Sequence, residues 1–133
     1  MSGYLLDADT ASSVLREPRG AVAARIAQVG LSRVALSLIS TAELWFGAAK
    51  RGSARLQAEI VMLVERSIVI PLETPTDIIY ADLRADLERR GMPIGGNALW
   101  LAAHALALDR TLVTANTREF SRVPGLRIEN WMA

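Results

Sequence analysis

With 133 residues, 51% of them hydrophobic, and a formal net charge of +1, the chain has room for one packed domain and too much apolar content for disorder. No apolar run approaches the roughly 20 residues of a membrane span, and the first residues lack the basic-then-apolar-then-small layout of a signal peptide. Cysteine is absent, which excludes disulfides, thiolate metal ligands and a cysteine nucleophile and fits a reducing cytoplasm. In chain order, the first element is Tyr4-Leu5-Leu6, which runs into Asp7-Ala8-Asp9-Thr10. Three large apolar residues closed by polar ones predict a strand buried on both faces, as in the middle of a parallel sheet. Residues 10–29 carry a helical pattern through Val14, Val22, Ile26 and Val29, broken at Pro18-Arg19-Gly20. Val34-Ala35-Leu36-Ser37-Leu38 is a second strand. Ser40 or Thr41 then caps a helix bearing Leu44, Trp45, Ala48 and Ala49, with Glu43 in its first turn, and Arg51-Gly52-Ser53 ends it.

Leu56, Ile60, Leu63 and Val64 mark the apolar face of the next helix. Residues 67–72 are a third strand, placed towards a sheet edge because Pro71 cannot donate to a ladder. Residues 74–90 form the longest helix, with Ile78, Ile79, Ala81, Leu83 and Leu87 inward. A turn over residues 91–97 leads to an apolar helix at 98–108, a fourth strand at 111–114 and a fifth at 126–128. Alternating helices and strands predict a three-layer α/β/α fold with a mostly parallel sheet of four to five strands, in one domain over residues 1–133.

Ligands of such sheets gather at the carboxyl ends of the strands, where the strand order reverses. Asp7 stands at such an end, and by itself it or Asp9 equally reads as a helix cap. Glu43, taken alone, reads as an acid favoured by the helix macrodipole. Topology brings the two together: the helix after strand two starts at the edge where strand one ends, across about 5 Å of strand spacing. Two carboxylates so placed repel unless a cation sits between them, and Mg²⁺ or Mn²⁺, hard ions that take oxygen ligands, would suit. Asn97 reads as the cap of the next helix, which puts Ala98 at its first position, where an acid would be welcome. After strand four, Asn116 and Glu119 come near the same edge, or form an ordinary turn in which Asn116 caps a short helix.

The ordered set of motifs is Leu5-Leu6-Asp7, Ser40-Thr41-Ala42-Glu43-Leu44 with Gly47-Ala48, Leu83-Arg84-Ala85 to Gly91, and Pro93-Ile94-Gly95 with Asn97. It continues through Ala102-Ala103-His104-Ala105, Leu112-Val113-Thr114, Asn116-Thr117-Arg118-Glu119-Phe120, Val123-Pro124-Gly125-Leu126 and Glu129-Asn130-Trp131. In this the chain resembles, nearly end to end, the PIN-domain ribonucleases and within them the VapC toxins of bacterial toxin–antitoxin pairs. The resemblance implies a metal-dependent endoribonuclease cutting structured RNA, often initiator tRNA or ribosomal RNA, so as to inhibit translation. It also implies a homodimer, silenced by a small VapB-like antitoxin whose C-terminal segment covers the active cleft.

Carried over residue by residue, the resemblance makes Asp7 and Glu43 ligands of Mg²⁺ or Mn²⁺, with position 98 the site of a third acid. Glu119 is the candidate fourth acid, Asn116 and Thr114 position ligands or phosphate, and Arg118 contacts RNA. Two departures stand out. The family's Asp-Thr-Asn is here Asp7-Ala8-Asp9, which keeps the principal acid, and the aspartate after the family's asparagine is here Ala98. An alanine in an otherwise intact motif reads as an Asp→Ala knockout, the alternative being a natural pseudo-enzyme, and it predicts weak metal binding and little cleavage.

His104, the one histidine, sits inside an apolar helix away from the strand ends and reads as a packing or surface hydrogen-bonding residue before a general base. Trp45, Trp100 and Trp131 read as core before they read as base-stacking platforms. Lys50 is the only lysine. Arg51, Arg55, Arg118 and Arg122 are candidate phosphate contacts, with a solvated face as the plain alternative. Apolar residues of 44–49 and 56–64 exceed the needs of one small core and are assigned in part to dimer and antitoxin surfaces. Two rivals remain. Aspartyl-phosphate phosphatases share Asp7-x-Asp9 but want a late lysine and a second acidic pair, both missing here. A non-catalytic module that only binds a partner shares every feature except activity.

Overall fold

The computed structural model describes residues 3–132. Its strands are β1 (Tyr4–Leu6), β2 (Val34–Ser37), β3 (Ile68–Ile70), β4 (Thr111–Val113) and β5 (Ile128–Glu129). They form one sheet in the order β3-β2-β1-β4-β5, with every pair parallel. The helices are α1 (Ala8–Arg16), α2 (Ala21–Val29), α3 (Leu38–Arg51), α4 (Ala54–Glu65), α5 (Thr76–Arg89), α6 (Gly96–Leu108) and the short α7 (Thr117–Phe120). None of them is long and apolar enough to cross a membrane.

The central strand explains the layering. Side chains alternate across a strand, so Leu5 and Leu6 face opposite sides of the sheet. Leu5 packs with Leu83 and Leu87 of α5, with Leu99 and Leu101 of α6, and with Phe120. Leu6 packs with Ala11, Val22, Leu44 and Ile60, one from each of α1 to α4. Both leucines are almost wholly buried, each worth about 2 kcal/mol in transfer terms. The fold is thus α5–α6, sheet, α1–α4: the three layers expected, with five parallel strands.

The chain leaves β1 for β2 on one side and later returns to β4 on the other, so the strand order reverses at the end of β1. Leu6 pairs in register with Leu36 and with Val113. One residue further, Asp7 therefore stands between Ser37 and Thr114 at the carboxyl edge. β3 lies at the sheet edge, as Pro71 requires, with the proline just past the strand.

Several local expectations fail. The cap of α3 is Ser37, whose Oγ accepts from the Ile39 amide at 3.0 Å, so α3 starts before Ser40 and Glu43 lies in its second turn. Ser40 instead turns inward and donates to the Leu6 carbonyl at 2.8 Å. The cap of α6 is Gly95, which places Asn97 second and Ala98 third in the helix. On α5, Ile78 is 58% exposed and Ala81 also faces out, while Leu83 and Leu87 are buried and Tyr80 stacks on Trp100 of α6. Of the tryptophans, Trp131 is core, Trp100 stacks on Tyr80 at 3.9 Å, and Trp45 lies outside the core on the exposed face of α3.

Candidate active site at the carboxyl edge of the sheet

Asp7 is the cap of α1 and stands at the carboxyl edge of the sheet. Its Oδ1 accepts from the Thr10 amide at 2.9 Å and caps α1, while its own amide donates to Val113 O at 3.1 Å. Glu43 reaches the same place from the second turn of α3, held there by the Ser37 cap and by the Ser40 tie to the end of β1. Burial pushes the Glu43 carboxyl above the ordinary glutamate range; the Asn97 amide, donating to it, works against this, and the negative charge of Asp7 adds to the rise.

Ala98 follows directly, half-buried and packed against the cluster that contains Leu5 and Leu99. It contributes no polar atom. Among the described residues, no three Asp, Glu or His side chains converge as a metal-ligand set. The chemistry of the donors present still fits a hard divalent cation: two carboxylates, one of them partly desolvated, facing each other at a strand-order switch.

The other candidates form a separate group. Glu119 accepts from the Gly95 amide at 3.0 Å and from Asn116 Nδ2 at 2.7 Å, so it ties α7 to the start of α6. Thr114 is fully buried, and its Oγ1 accepts from the Asn116 amide at 3.0 Å. Asn116 flanks the short α7 as expected, without a side-chain cap bond. Arg118 is exposed beside it. The structure thus unites Asp7, Glu43 and Asn97, and it engages Glu119 and Asn116 with each other.

Sequence reasoning missed the support beneath. His104 is buried, with Nδ1 2.8 Å from Ser37 Oγ and Nε2 3.1 Å from the Pro71 carbonyl. A carbonyl only accepts, so Nε2 carries the proton and Nδ1 accepts the Ser37 hydroxyl. The signal that was available is a serine at the junction of an apolar strand and a helix, where one hydroxyl can both cap and brace.

An α/β/α fold of this topology with two acids at its switch point defines a class, and the family comparison agrees. A model described as "PIN domain" matches residues 4–126, and the chain belongs to that family. Within it, the chain is of the VapC type. It is similar to Ribonuclease VapC2 of Rickettsia felis, 38% identical over 99 residues that cover 74% of each protein. It is also similar to the tRNA(fMet)-specific endonuclease VapC of Salmonella typhimurium, 33% identical over 132 residues, covering 98% of this chain and 99% of that one. Among solved structures, the DNA-bound VapBC from Salmonella typhimurium matches with a TM-score of 0.89 at 33% identity, over 98% of this chain and 99% of that one. VapBC2 from Rickettsia felis, bound to a DNA fragment from the promoter, matches at 0.87 and 31% identity, over 96% and 98%.

Proposed function

We propose that this chain is the toxin of a VapBC-type pair, built as a cytoplasmic, Mg²⁺- or Mn²⁺-dependent endoribonuclease and disabled at one ligand position. The observation that carries this reading is the Asp7–Glu43 pair, with Glu43 pushed above its ordinary pKa at the sheet's switch point. Bound there, a divalent cation would polarise a phosphodiester and supply hydroxide from water near neutral pH. Asp7 and Glu43 would hold it, Asn97 beside Glu43 works against the rise in its pKa, and Thr114 and Asn116 shape the neighbouring wall. Ala98 leaves the ligand set one carboxylate short, so this chain binds metal weakly and cuts little. Structured RNA as substrate is supported by the Salmonella relative, whose name specifies tRNA(fMet).

An antitoxin partner is supported by the VapBC assemblies in which the similar chains were solved. Its seat would be an apolar groove of about 550 Å³ between α1–α2 and α4, lined by Val14, Ile26, Leu31, Met62 and Leu63. The outward face of α3, with Leu38, Trp45 and the 66%-exposed Phe46, suits a homodimer contact. The absence of a third acid favours a second reading, a module that binds its partners and does not cut.

The test is total RNA with this chain and with its Ala98→Asp form, each in Mg²⁺, in Mn²⁺ and in EDTA. Discrete, EDTA-sensitive cleavage by the Ala98→Asp form, at least about a hundredfold above this chain, is the expected result. Cleavage by neither form moves the binding module to the front.

A further inference from the structure

Helix α6 buries one titratable side chain in an otherwise apolar stretch: Leu101, Ala102, Ala103 and Ala105 flank His104, which is 1% exposed. A leucine there would avoid the cost of stripping water from an imidazole, so packing by itself does not call for histidine. What the ring does is join three elements. Its Nδ1 accepts from Ser37 Oγ at 2.8 Å, and its Nε2 donates to the Pro71 carbonyl at 3.1 Å. Ser37 Oγ in turn accepts from the Ile39 amide at 3.0 Å and caps α3. One ring thus links α6, the cap of α3 and the segment just past β3.

The two helices so linked are the ones that bear Glu43 and position 98. Glu43 lies six residues after Ser37 on α3, and Ala98 lies six residues before His104 on α6, about 9 Å along each helix axis. The amino end of α6 stands beside Glu43, since Asn97 acts on its carboxyl. Around the link the packing is apolar: Ile39, in the first turn of α3, lies against the cluster that holds Leu99 and Leu101. Apolar packing is non-directional, so it brings the two helices together without fixing a ligand position closely. A buried hydrogen bond is directional, and it is costly to leave unmade.

We propose that His104 is a positioning residue for the candidate metal site: through the Ser37 cap it fixes where Glu43 stands relative to the amino end of α6. The proposal rests on the metal-nuclease reading above and adds to it a buried residue that touches neither acid. Metal sites reward such precision, since removing a partner that orients a ligand commonly costs about 10- to 100-fold in affinity. The two ring nitrogens divide the work. Nδ1 holds Ser37, while the bond from Nε2 to Pro71 fixes the tautomer that leaves Nδ1 free to accept. A carboxamide oxygen needs no such fixing, because it always accepts.

The two nitrogens can be tested apart in the full-length Ala98→Asp form. His104→Asn keeps an acceptor near the Nδ1 position and loses the Pro71 bond; His104→Gln keeps a donor near the Nε2 position and loses the Ser37 bond. The measurements are Mn²⁺ affinity, from the electron paramagnetic resonance of free Mn²⁺ well below the unfolding temperature, and the metal-free melting temperature. His104→Gln should weaken Mn²⁺ binding at least about tenfold, and Ser37→Ala, which breaks the same bond from the other side, should do as much. His104→Asn should stay within about threefold although, as the smaller side chain, it melts at least as low as His104→Gln. Leu87→Ala, which empties the α5–α6 layer without touching Ser37, should lower the melting temperature and also stay within about threefold. Affinity that simply follows melting temperature across the set overturns the proposal, and so does undiminished Mn²⁺ binding by both His104→Gln and Ser37→Ala. If the Ala98→Asp form itself binds no Mn²⁺, the metal-nuclease reading falls and takes this proposal with it. If that form binds Mn²⁺ and the variants do not divide in this way, only the role of His104 falls.

Discussion

The carboxyl edge of the sheet has a buried seam below and an open rim above, and their polar groups obey opposite rules. In the seam every hydroxyl and ring nitrogen is matched. Thr10 Oγ1 donates to Val113 O, Ser40 Oγ to Leu6 O, Ser37 Oγ to His104 Nδ1, and Thr114 Oγ1 accepts from the Asn116 amide. Among the described residues, the one buried side-chain polar atom without a partner is Arg25 Nε, which belongs to neither region. On the rim, burial and then the charge of Asp7 push the Glu43 carboxyl above its ordinary pKa. Buried polar groups persist in a fold only when paired, because an unpaired one forfeits its hydration. The rim acids lack such complete pairing, and under the function proposed above a bound cation would offset the cost.

Substitutions can break this contrast. His104→Ala should have the largest effect on stability. It opens a cavity and strips Ser37 and the Pro71 carbonyl of their partner, for a loss of about 3 kcal/mol and about 12 °C in melting temperature. A fall of only a degree or two would show the seam to be as loosely determined as the rim. Glu119→Ala comes next. It frees the Gly95 amide and Asn116 Nδ2 at a partly exposed site, and chemical denaturation should report a loss of about 1 kcal/mol. No loss would place Glu119 with the rim acids and not with the scaffold.

Ala98→Asp should lower the metal-free melting temperature by a smaller amount, since it adds a third negative charge at a half-buried position beside the pair. Mg²⁺ should then raise it again. A melting temperature unmoved by both the substitution and the metal would remove the basis for a shared acidic cluster.

The smallest effect, and the one of opposite sign, belongs to Glu43→Gln, which should slightly stabilise the metal-free chain at neutral pH. The folded-state pKa of Glu43 is raised, so the folded protein holds that proton more tightly than the unfolded chain does. Parent stability therefore falls as pH rises from about 4.5, the ordinary glutamate value, through the raised folded-state value. The two curves should coincide in acid and separate above that window in urea titrations. His104 runs the other way. Burial lowers its pKa, outweighing the Pro71 contact that raises it, so its contribution is lost as pH falls below about 6.5.

Much of this molecule is legible in one dimension. Tyr4-Leu5-Leu6 had to be a buried central strand because three large apolar residues in a row leave no face for water. Pro71 had to lie at an edge because it has no amide to donate. Asp7 and Glu43 could be brought together from topology alone, since parallel strands place successive strand ends on one side. The helix starts were misread at Ser37 and Gly95 because capping residues are plentiful near both junctions. Which one caps depends on what else claims the side chain: Ser40 is taken by the Leu6 carbonyl.

Local pattern thus determined the order of elements, the parallel sheet, the acids of its edge and the alanine among them, because each follows from apolar spacing or residue type along the chain. Tertiary structure alone decided that His104 braces the Ser37 cap and that Glu119 latches α7 to α6. These are contacts between residues far apart in sequence. A side chain with several possible partners chooses among them only when the packed layers bring one within reach.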